Sequence, residues 1–255
     1  MLLLNLADNT PHMIKLSKIS TSPPDSFDKK KTENETEKLK DELFDLQNVL
    51  FAENKHSLLV ILQGTDASGK DGTVRHVFSC MNPMGVNVRA FKAPTEEERQ
   101  YNFLWRIHKS VPPKGMIEIF NRSHYEDILV PTVHKELDKE VIERRYDTIN
   151  NFEQNLVDSG TVILKFYLHI SKGEQKKRIE DRLTKPSKNW KYDPADKKES
   201  VKWDDYMKVY EKIFERCSKK LPWIIVPADN KWYRNYVIAK EIRDTLKSLK
   251  MKYPS

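Results

Sequence analysis

Five short apolar runs, separated by segments with helical hydrophobic spacing, constrain this 255-residue chain more than any other feature. The runs lie at 57–63, 86–91, 116–120, 162–168 and 223–226. Apolar runs of this length that alternate with helices are typical of buried parallel strands joined by helical crossovers. The alternation predicts an α/β fold with three layers, α/β/α, in which helices cover both faces of a five-stranded parallel sheet.

Composition and charge narrow the class of protein. The chain has 45 Lys and Arg against 38 Asp and Glu, a formal net charge of +7, so we expect an anionic partner. No window approaches the ~18 consecutive apolar residues of a membrane span, so we expect no membrane partner. Two cysteines, Cys80 and Cys217, cannot form a disulfide framework, which favours a reducing compartment and a cytoplasmic location.

The hydrophobic pattern divides the chain into two parts. Residues 1–36 are rich in Ser, Thr, Pro and Lys and show no hydrophobic period, so we interpret them as a mobile N-terminal tail, with docking on a neighbouring subunit as the alternative. Residues 37–255 are predicted to form a single domain, which begins with an amphipathic helix over 37–53. The leucine stripe of that helix could support an oligomer or pack in the core; its members are Leu39, Leu43, Leu46 and Leu50.

A glycine-rich segment follows the first apolar run and opens a helical segment. It reads Gly64-Thr-Asp-Ala-Ser-Gly-Lys-Asp-Gly-Thr73 and has the G-x-x-x-x-G-K spacing of a P-loop. Backbone N–H groups, a helix N-terminus and Lys70 would together hold phosphate. Asp71 stands where Ser or Thr usually binds Mg²⁺, and Asp66 places a second acid in the loop. Two carboxylates in a phosphate site suit metal binding or proton acceptance.

Two further groups of charged residues point to the same chemistry. Polar residues that follow the third apolar run, 121–127, should lie beside the P-loop, because ligands bind at the carboxyl ends of parallel strands. Within them, Arg122 could offset charge on a transferring phosphoryl group, and Glu126 and Asp127 could contact metal or nucleotide. Arg178 and Arg182 share one helix face and could bind phosphate, or Arg178 could pair with Glu174.

A basic stretch follows the fourth apolar run. Residues 172–202 carry eleven Lys and Arg against six Asp and Glu, and they include Pro186, Trp190 and Pro194. A charge run is often a solvated surface, but its position in a nucleotide-type sheet favours a mobile lid around 178–202. Aromatic side chains that could stack on a base are Trp190, Trp203 and Trp232.

Three motifs in this order resemble the polyphosphate kinase 2 family. They are Gly64-Thr-Asp-Ala-Ser-Gly-Lys-Asp-Gly-Thr73, Phe120-Asn-Arg-Ser-His-Tyr-Glu-Asp127 and Lys176-Lys-Arg-Ile-Glu-Asp-Arg182. Further stretches that look like the family are Phe91-Lys-Ala-Pro-Thr95, Tyr101-Asn-Phe-Leu-Trp-Arg106, Asn150-Asn-Phe-Glu153, Lys188-Asn-Trp-Lys191 and Pro227-Ala-Asp-Asn-Lys-Trp232. The resemblance covers about residues 37–255.

The resemblance implies a P-loop kinase-like fold with a helical lid. It also implies reversible transfer of a terminal phosphoryl group from inorganic polyphosphate to AMP or ADP, with ATP as a further nucleotide and Mg²⁺ or Mn²⁺ as cofactor. The form of the 120–127 motif is similar to the subgroup that accepts both AMP and ADP. Relatives that prefer nucleoside diphosphates often carry Asn where Glu126 stands. We expect a homo-oligomer, either a dimer or a tetramer.

Residue roles follow from the motifs. The expected catalytic residues are Asp66, Lys70, Arg122, Arg178 and Arg182, and the expected metal ligands are Asp66 and Glu126. The residues expected to bind nucleotide or polyphosphate are Gly64, Ala67, Ser68, Gly69, Lys70, Asp71, Gly72, Thr73, Arg75, Lys92, Asn121, Glu126, Asp127 and Lys188. A phosphate acceptor is already ionised at neutral pH, so a strong general base is not required. We also expect direct transfer without a covalent intermediate.

Two other classes of protein remain open at this stage. An ATP-dependent nucleoside monophosphate kinase would share the fold and the arginines, but such kinases usually carry Ser, Thr or Gly after the P-loop lysine, where this chain has Asp71. A non-enzymatic polyanion-binding protein fits the net charge. However, no nucleic-acid module is recognisable, so we expect no nucleic-acid partner, and the loop carboxylates oppose simple polyanion binding.

Overall fold

The structure is a computed structural model and describes residues 4–5, 14–190 and 193–254. The strands are β1 (Leu4–Asn5), β2 (Ser57–Gln63), β3 (Val86–Ala90), β4 (Ile117–Asn121), β5 (Thr161–His169) and β6 (Trp223–Pro227). The longer helices are α1 (Lys29–Glu53), α2 (Lys70–Val77), α5 (Glu126–His134), α6 (Lys139–Asp158), α7 (Lys172–Thr184), α9 (Pro194–Val201), α10 (Trp203–Cys217) and α11 (Lys231–Ser248). Single-turn helices are α3 (Glu96–Arg99), α4 (Trp105–His108) and α8 (Pro186–Asn189).

The sheet has the order β1-β6-β5-β2-β4-β3. The strands β2 to β6 are parallel to one another, which confirms the predicted five-stranded parallel sheet. The short β1 adds an antiparallel edge against β6, which the sequence did not predict. Each predicted apolar run lies within one residue of its strand at both ends. Four of the five parallel strands are largely buried, as expected for apolar runs, whereas the edge strand β3 is largely exposed.

Alternate residues of the central strand β2 enter two hydrophobic cores. Leu58, Val60 and Leu62 pack in one core with residues of α1, α2 and α11. Leu59 and Ile61 pack in the other core with residues of α5, α6 and α10. The sheet is therefore covered by helices on both faces, as expected for three layers. No helix in the described ranges is both long enough and apolar enough to cross a membrane.

The N-terminal segment differs from the sequence prediction where the structure describes it. The first helix begins at Lys29 rather than at residue 37, because Asp28 caps it by accepting a hydrogen bond from the Lys31 backbone at 2.8 Å. Before the helix, the buried Leu16 presents its carbonyl oxygen 3.1 Å from His169 Nε2. Residues 14–36 are therefore packed against the domain instead of forming a separate tail. The remainder of that prediction, residues 1–3 and 6–13, lies outside the described residues.

The leucine stripe of α1 belongs to the core of its own chain. Leu39, Leu43 and Leu50 are at most 2% exposed and pack in the same core as Ile242 and Leu246 of α11. The alternative that this stripe forms an oligomer interface is therefore wrong, because its apolar surface is already covered. An oligomer, if it forms, must use a different surface.

Candidate active site

The P-loop connects β2 to α2 with backbone conformations that few residues adopt. Gly64 has φ 152°, and a Cβ there would lie 2.9 Å from the carbonyl oxygen of Leu168, so only glycine fits. Gly69, the residue before α2, has φ 104°, and Ala67 takes a left-handed φ of 61°. These conformations turn the chain sharply into the helix, whose first N–H groups have no partner within the helix. Such a helix start favours an anion.

Lys70 is buried beneath the loop that it follows. Its side chain donates to the carbonyl oxygens of Gly64 at 2.7 Å and Thr65 at 3.1 Å. Burial is the main cause that lowers the pKa of Lys70, to about 8, and the nearby Arg122 lowers this pKa further. Asp66 acts in the opposite direction. A bound phosphate would favour the charged amine and raise this pKa.

Asp66 and Arg122 form an ion pair between the P-loop and the end of β4. Arg122 Nη2 donates to Asp66 Oδ1 at 2.6 Å, and both side chains are partly exposed. The backbone of Arg122 has φ 64°, and its N–H donates to the carbonyl oxygen of Leu62 at 3.1 Å. Strand pairing therefore positions Arg122, and the left-handed backbone directs the chain out of the sheet at this point.

The remaining residues of the 121–127 segment take different roles. Burial raises the pKa of Glu126, and the charge of Asp66 contributes in the same direction. Asp127 accepts a hydrogen bond from Arg106 Nη2 at 3.1 Å, and Asn121 donates to Asp71 Oδ1 at 2.9 Å. Asp127 therefore helps to hold Arg106, which the sequence did not single out.

Arg178 anchors the P-loop through its whole guanidinium group. Nη1 donates to the carbonyl oxygens of Ala67 and Ser68, and Nη2 donates to those of Ala228 and Asp229, all within 3.0 Å. Nε donates to Glu174 at 2.7 Å, which is the pairing that the sequence left open. These contacts join the P-loop to the loop after β6. Arg178 is thus occupied by protein acceptors, which favours a structural role over the catalytic role expected from the motif.

Two cavities lie on either side of the Asp66–Arg122 pair. The first, of about 690 Å³, we call the mixed cavity because acidic, basic and apolar side chains line it together. Its residues include Phe91, Arg99, Arg106, Glu126, Asp127, Val130, Pro131, His134, Leu137, Arg145, Glu199, Trp203 and Tyr206. The balance of charge and the apolar walls suit a ligand with both a ring system and a charged group.

The second cavity, of about 910 Å³, we call the basic groove. Among the described residues it is lined by three aspartates, Asp66, Asp71 and Asp193, and by nine basic side chains. The basic residues are Lys70, Arg75, Lys92, Arg122, Arg178, Arg182, Lys188, Lys231 and Arg234. A groove of this charge attracts a polyanion. The two cavities share Asp66, Phe91, Lys92, Ala93 and Arg122.

Most of the residues predicted for the site line one of these cavities. The exceptions are Ser68 and Thr73, whose buried hydroxyl groups have no hydrogen-bond partner in the described part of the chain. Both residues are fully buried and line neither cavity, so their side chains are not exposed to a bound phosphate. Of the three tryptophans, Trp203 lines the mixed cavity, Trp190 lines the basic groove, and Trp232 packs beside Tyr233.

The sequence interpretation missed Lys231 and Arg234 at the start of α11. Both line the basic groove, and Arg234 is only 1% exposed. They follow the last strand β6, so the rule that ligands bind at the carboxyl ends of parallel strands could have found them. The surroundings of Arg234 are unusual for a buried charge.

The fold and the site define a P-loop phosphotransferase, because a P-loop lysine and arginines converge between two cavities at the carboxyl ends of parallel strands. Sequence comparison narrows the class: residues 26–254 match the family described as Polyphosphate kinase 2 (PPK2). The chain belongs to this family. That result confirms the resemblance found in the motifs.

Individual relatives support the same assignment. The chain is 48% identical over 210 residues to an AMP/ADP-polyphosphate phosphotransferase of Meiothermus ruber, covering 82% of this chain and 79% of that protein. It is 45% identical to an ADP-polyphosphate phosphotransferase of Rhodopseudomonas palustris, covering 83% of this chain and 78% of that protein. The crystal structure of polyphosphate kinase 2 from Arthrobacter aurescens TC1 superimposes with a TM-score of 0.94 at 41% identity, covering 99% of this chain and 90% of that one.

Proposed function

We propose that this protein is a polyphosphate-dependent nucleotide kinase that transfers a terminal phosphoryl group from inorganic polyphosphate to AMP or ADP. The observation that carries this proposal is the meeting of the basic groove and the mixed cavity at Asp66 and Arg122. A polyanionic donor matches the charge of the groove, and a nucleotide matches the mixed cavity. The names of the relatives in Meiothermus ruber and Rhodopseudomonas palustris support both substrates.

The chemistry follows from this arrangement. An acceptor phosphate oxygen at the junction attacks the last phosphorus of the donor in line, and the bond to the bridging oxygen breaks. Lys70 and Arg122 offset the charge that spreads over the transferring oxygens, so positioning and electrostatics account for the catalysis. The shortened polyphosphate leaves through the groove. The acceptor is already ionised, so no protein base has to remove a proton.

The carboxylates of Asp66 and Glu126 fit the Mg²⁺ or Mn²⁺ that the family implies. Oδ1 of Asp66 bonds to Arg122, whereas Oδ2 has no hydrogen-bond partner among the described residues. No cluster of three or more metal-ligating side chains lies in the described ranges, so phosphates and water would complete the coordination. When bound, the cation would neutralise phosphate charge. It would also relieve the repulsion between the two carboxylates.

The two alternatives fit the site less well. An ATP-dependent monophosphate kinase needs a nucleotide at both substrate positions, whereas the nine Lys and Arg side chains that line the basic groove suit an extended polyanion. A simple polyanion-binding protein has no need of a second cavity with balanced charge. The presence of both cavities therefore favours a two-substrate enzyme.

Acceptance of both AMP and ADP is the finer part of the proposal. Glu126 lines the mixed cavity, and the relative in Meiothermus ruber that is named for both nucleotides is 48% identical. Formation of a dimer or tetramer and a cytoplasmic location are further predictions. Size-exclusion chromatography with light scattering would test the first of these.

Product analysis tests the proposed function. The protein is incubated with Mg²⁺ and long-chain polyphosphate, without ATP, and with AMP or ADP in separate tubes, and the nucleotides are separated by chromatography. We expect ADP and ATP from AMP, and ATP from ADP. Formation of ATP in the ADP tube, with no product in the AMP tube, would still support a polyphosphate-dependent kinase but would contradict the acceptance of both nucleotides. No product without ATP, together with transfer from added ATP to AMP, would favour the monophosphate kinase.

A further inference from the structure

Arg234 lies directly beneath the glycines of the P-loop. Arg234 is only 1% exposed, and its guanidinium group lies next to Gly69 and Gly72. A Cβ at Gly69 would overlap with Arg234 Nη1, and a Cβ at Gly72 would lie 3.4 Å from Nη2. The absence of side chains at Gly69 and Gly72 therefore leaves space for the buried guanidinium group of Arg234 next to the loop.

In the part of the chain that the structure describes, no acidic side chain neutralises the Arg234 cation. Nε and Nη2 both donate to Oδ1 of the neighbouring Asn235, at 3.2 and 2.8 Å. Among the described residues no carboxylate forms an ion pair with Arg234, and Nη1 has no hydrogen-bond acceptor there. Burial and the adjacent Arg178 lower the pKa of Arg234 to about 9, so the guanidinium is still charged at neutral pH.

A buried charge without a counter-charge destabilises a folded protein, and it is retained where a ligand supplies the counter-charge. Arg178 shows the contrast, since four carbonyl oxygens and Glu174 satisfy its guanidinium group. The guanidinium group of Arg234, by comparison, donates to a single amide oxygen among the described residues. Because Arg234 also lines the basic groove, the missing anion would approach from the groove side.

We propose that Arg234 is an anion-binding residue of the phosphate donor site, where its guanidinium, seated beneath Gly69 and Gly72, binds the phosphate chain held by the P-loop. This inference rests on the proposed function, because it assigns the basic groove to a polyphosphate donor. It adds a residue from the last helix to a site that the motifs place in the P-loop, the 121–127 segment and the lid.

The test compares Arg234→Met with Arg243→Met, a control on the same helix. Arg243 Nη1 donates to Glu42 at 2.8 Å, so the control removes an arginine that has an acidic partner. Tripolyphosphate binding is measured by calorimetry, ADP binding by the same method, and Tm by thermal denaturation without ligand. We expect R234M to weaken tripolyphosphate binding by about ten- to a hundredfold, the usual effect of losing a charged hydrogen bond.

The pattern across the other readouts distinguishes binding from a structural role. ADP affinity should stay within about twofold for R234M, because Arg234 lines the basic groove and is not among the residues that line the mixed cavity. The Tm of unliganded R234M should equal or exceed that of the wild type, whereas R243M should have a lower Tm and unchanged tripolyphosphate affinity. Equal tripolyphosphate affinity in R234M and wild type, or an equal loss of ADP affinity, would overturn the inference.

A second variant keeps the inference testable if R234M does not fold. Arg234→Lys retains the charge but loses the planar fork, so tripolyphosphate should bind about threefold or more weakly, with unchanged ADP affinity. Unchanged tripolyphosphate affinity in R234K would overturn the inference. Binding requires no turnover, so a wild-type protein that binds tripolyphosphate but forms no nucleotide product would contradict the proposed function alone.

Discussion

Arg122 Nη2 lies 2.6 Å from Asp66 Oδ1, at the point where the mixed cavity meets the basic groove. Asp66 comes from the loop after β2 and Arg122 from the end of β4, two strands that pair directly in the sheet. Both side chains are partly exposed, so the pair is accessible to substrates. In the proposed reaction, phosphate replaces the carboxylate as the partner of Arg122, and Asp66 becomes available to a cation.

Removal of the Arg122 guanidinium should impair turnover without unfolding the protein. We expect Arg122→Ala to lower kcat by about a hundredfold or more, because a preorganised charge at the transferring group is lost. Its Tm should stay close to that of the wild type, since the side chain is 40% exposed. Arg144→Ala, on an exposed position of α6, is the control and should keep its activity. Near-normal kcat in R122A would remove Arg122 from the catalytic set.

The buried amine of Lys70 should limit activity in alkaline solution. Its pKa of about 8 in the free protein means that kcat/KM for polyphosphate should fall above pH 8, by about tenfold per pH unit. The bound donor raises this pKa, so the corresponding fall in kcat should occur at higher pH. Initial rates from pH 6.5 to 9.5 measure both. Lys70→Arg carries a charge that does not titrate, so any activity it retains should lack the alkaline fall. A wild-type kcat/KM that stays constant to pH 9.5 would contradict this role.

Arg178 and Arg182 should differ in their effects on stability, although they occupy one helix face. Arg178→Met leaves four carbonyl oxygens without their donor, and we expect it to lower the free energy of unfolding by about 3 kcal/mol. Arg182→Met should change the free energy of unfolding by less than about 1 kcal/mol and should raise the KM for polyphosphate. Urea unfolding and steady-state kinetics of the two variants measure these effects. Equal stability of R178M and R182M would contradict the anchoring role of Arg178.

The carboxyl group of Glu118 on β4 should make stability depend on pH. Burial raises its pKa from 4.5 to about 6, so the folded state binds the proton more tightly than the unfolded state. This contribution to stability is fully present below pH 4.5 and is lost as pH rises through 6. Glu118→Gln should therefore be more stable than the wild type by up to about 2 kcal/mol at pH 7.5, with the difference vanishing near pH 4.5. A difference that does not change with pH would contradict the prediction.

The strands and the P-loop were predictable because local sequence determines them. A buried parallel strand is a continuous apolar run, and the spacing from Gly64 to Lys70 depends on backbone geometry within one loop. The N-terminal segment was not predictable in this way. Leu16 and Thr21 are held by hydrogen bonds to His169 and Asp229, more than 140 residues away, and such contacts leave no hydrophobic period.

The site was predictable to a different degree for each arginine. Arg122 follows a strand directly, so topology alone places it at the carboxyl edge of the sheet. The motif that contains Arg178 does not reveal that backbone carbonyls occupy its guanidinium group, because those carbonyls belong to two other loops. The burial of Arg234 under Gly69 and Gly72 likewise depends on how α11 packs beside α2, which a single sequence does not show.

In the proposed reaction, donor and acceptor occupy the two cavities at once and the phosphoryl group passes directly between them. Initial rates over a matrix of polyphosphate and ADP concentrations, with Mg²⁺ and without ATP, test this direct transfer. We expect double-reciprocal lines that intersect, since both substrates must be bound before transfer. Parallel lines would contradict direct transfer, because they would show that the shortened polyphosphate leaves a phosphorylated enzyme before ADP binds.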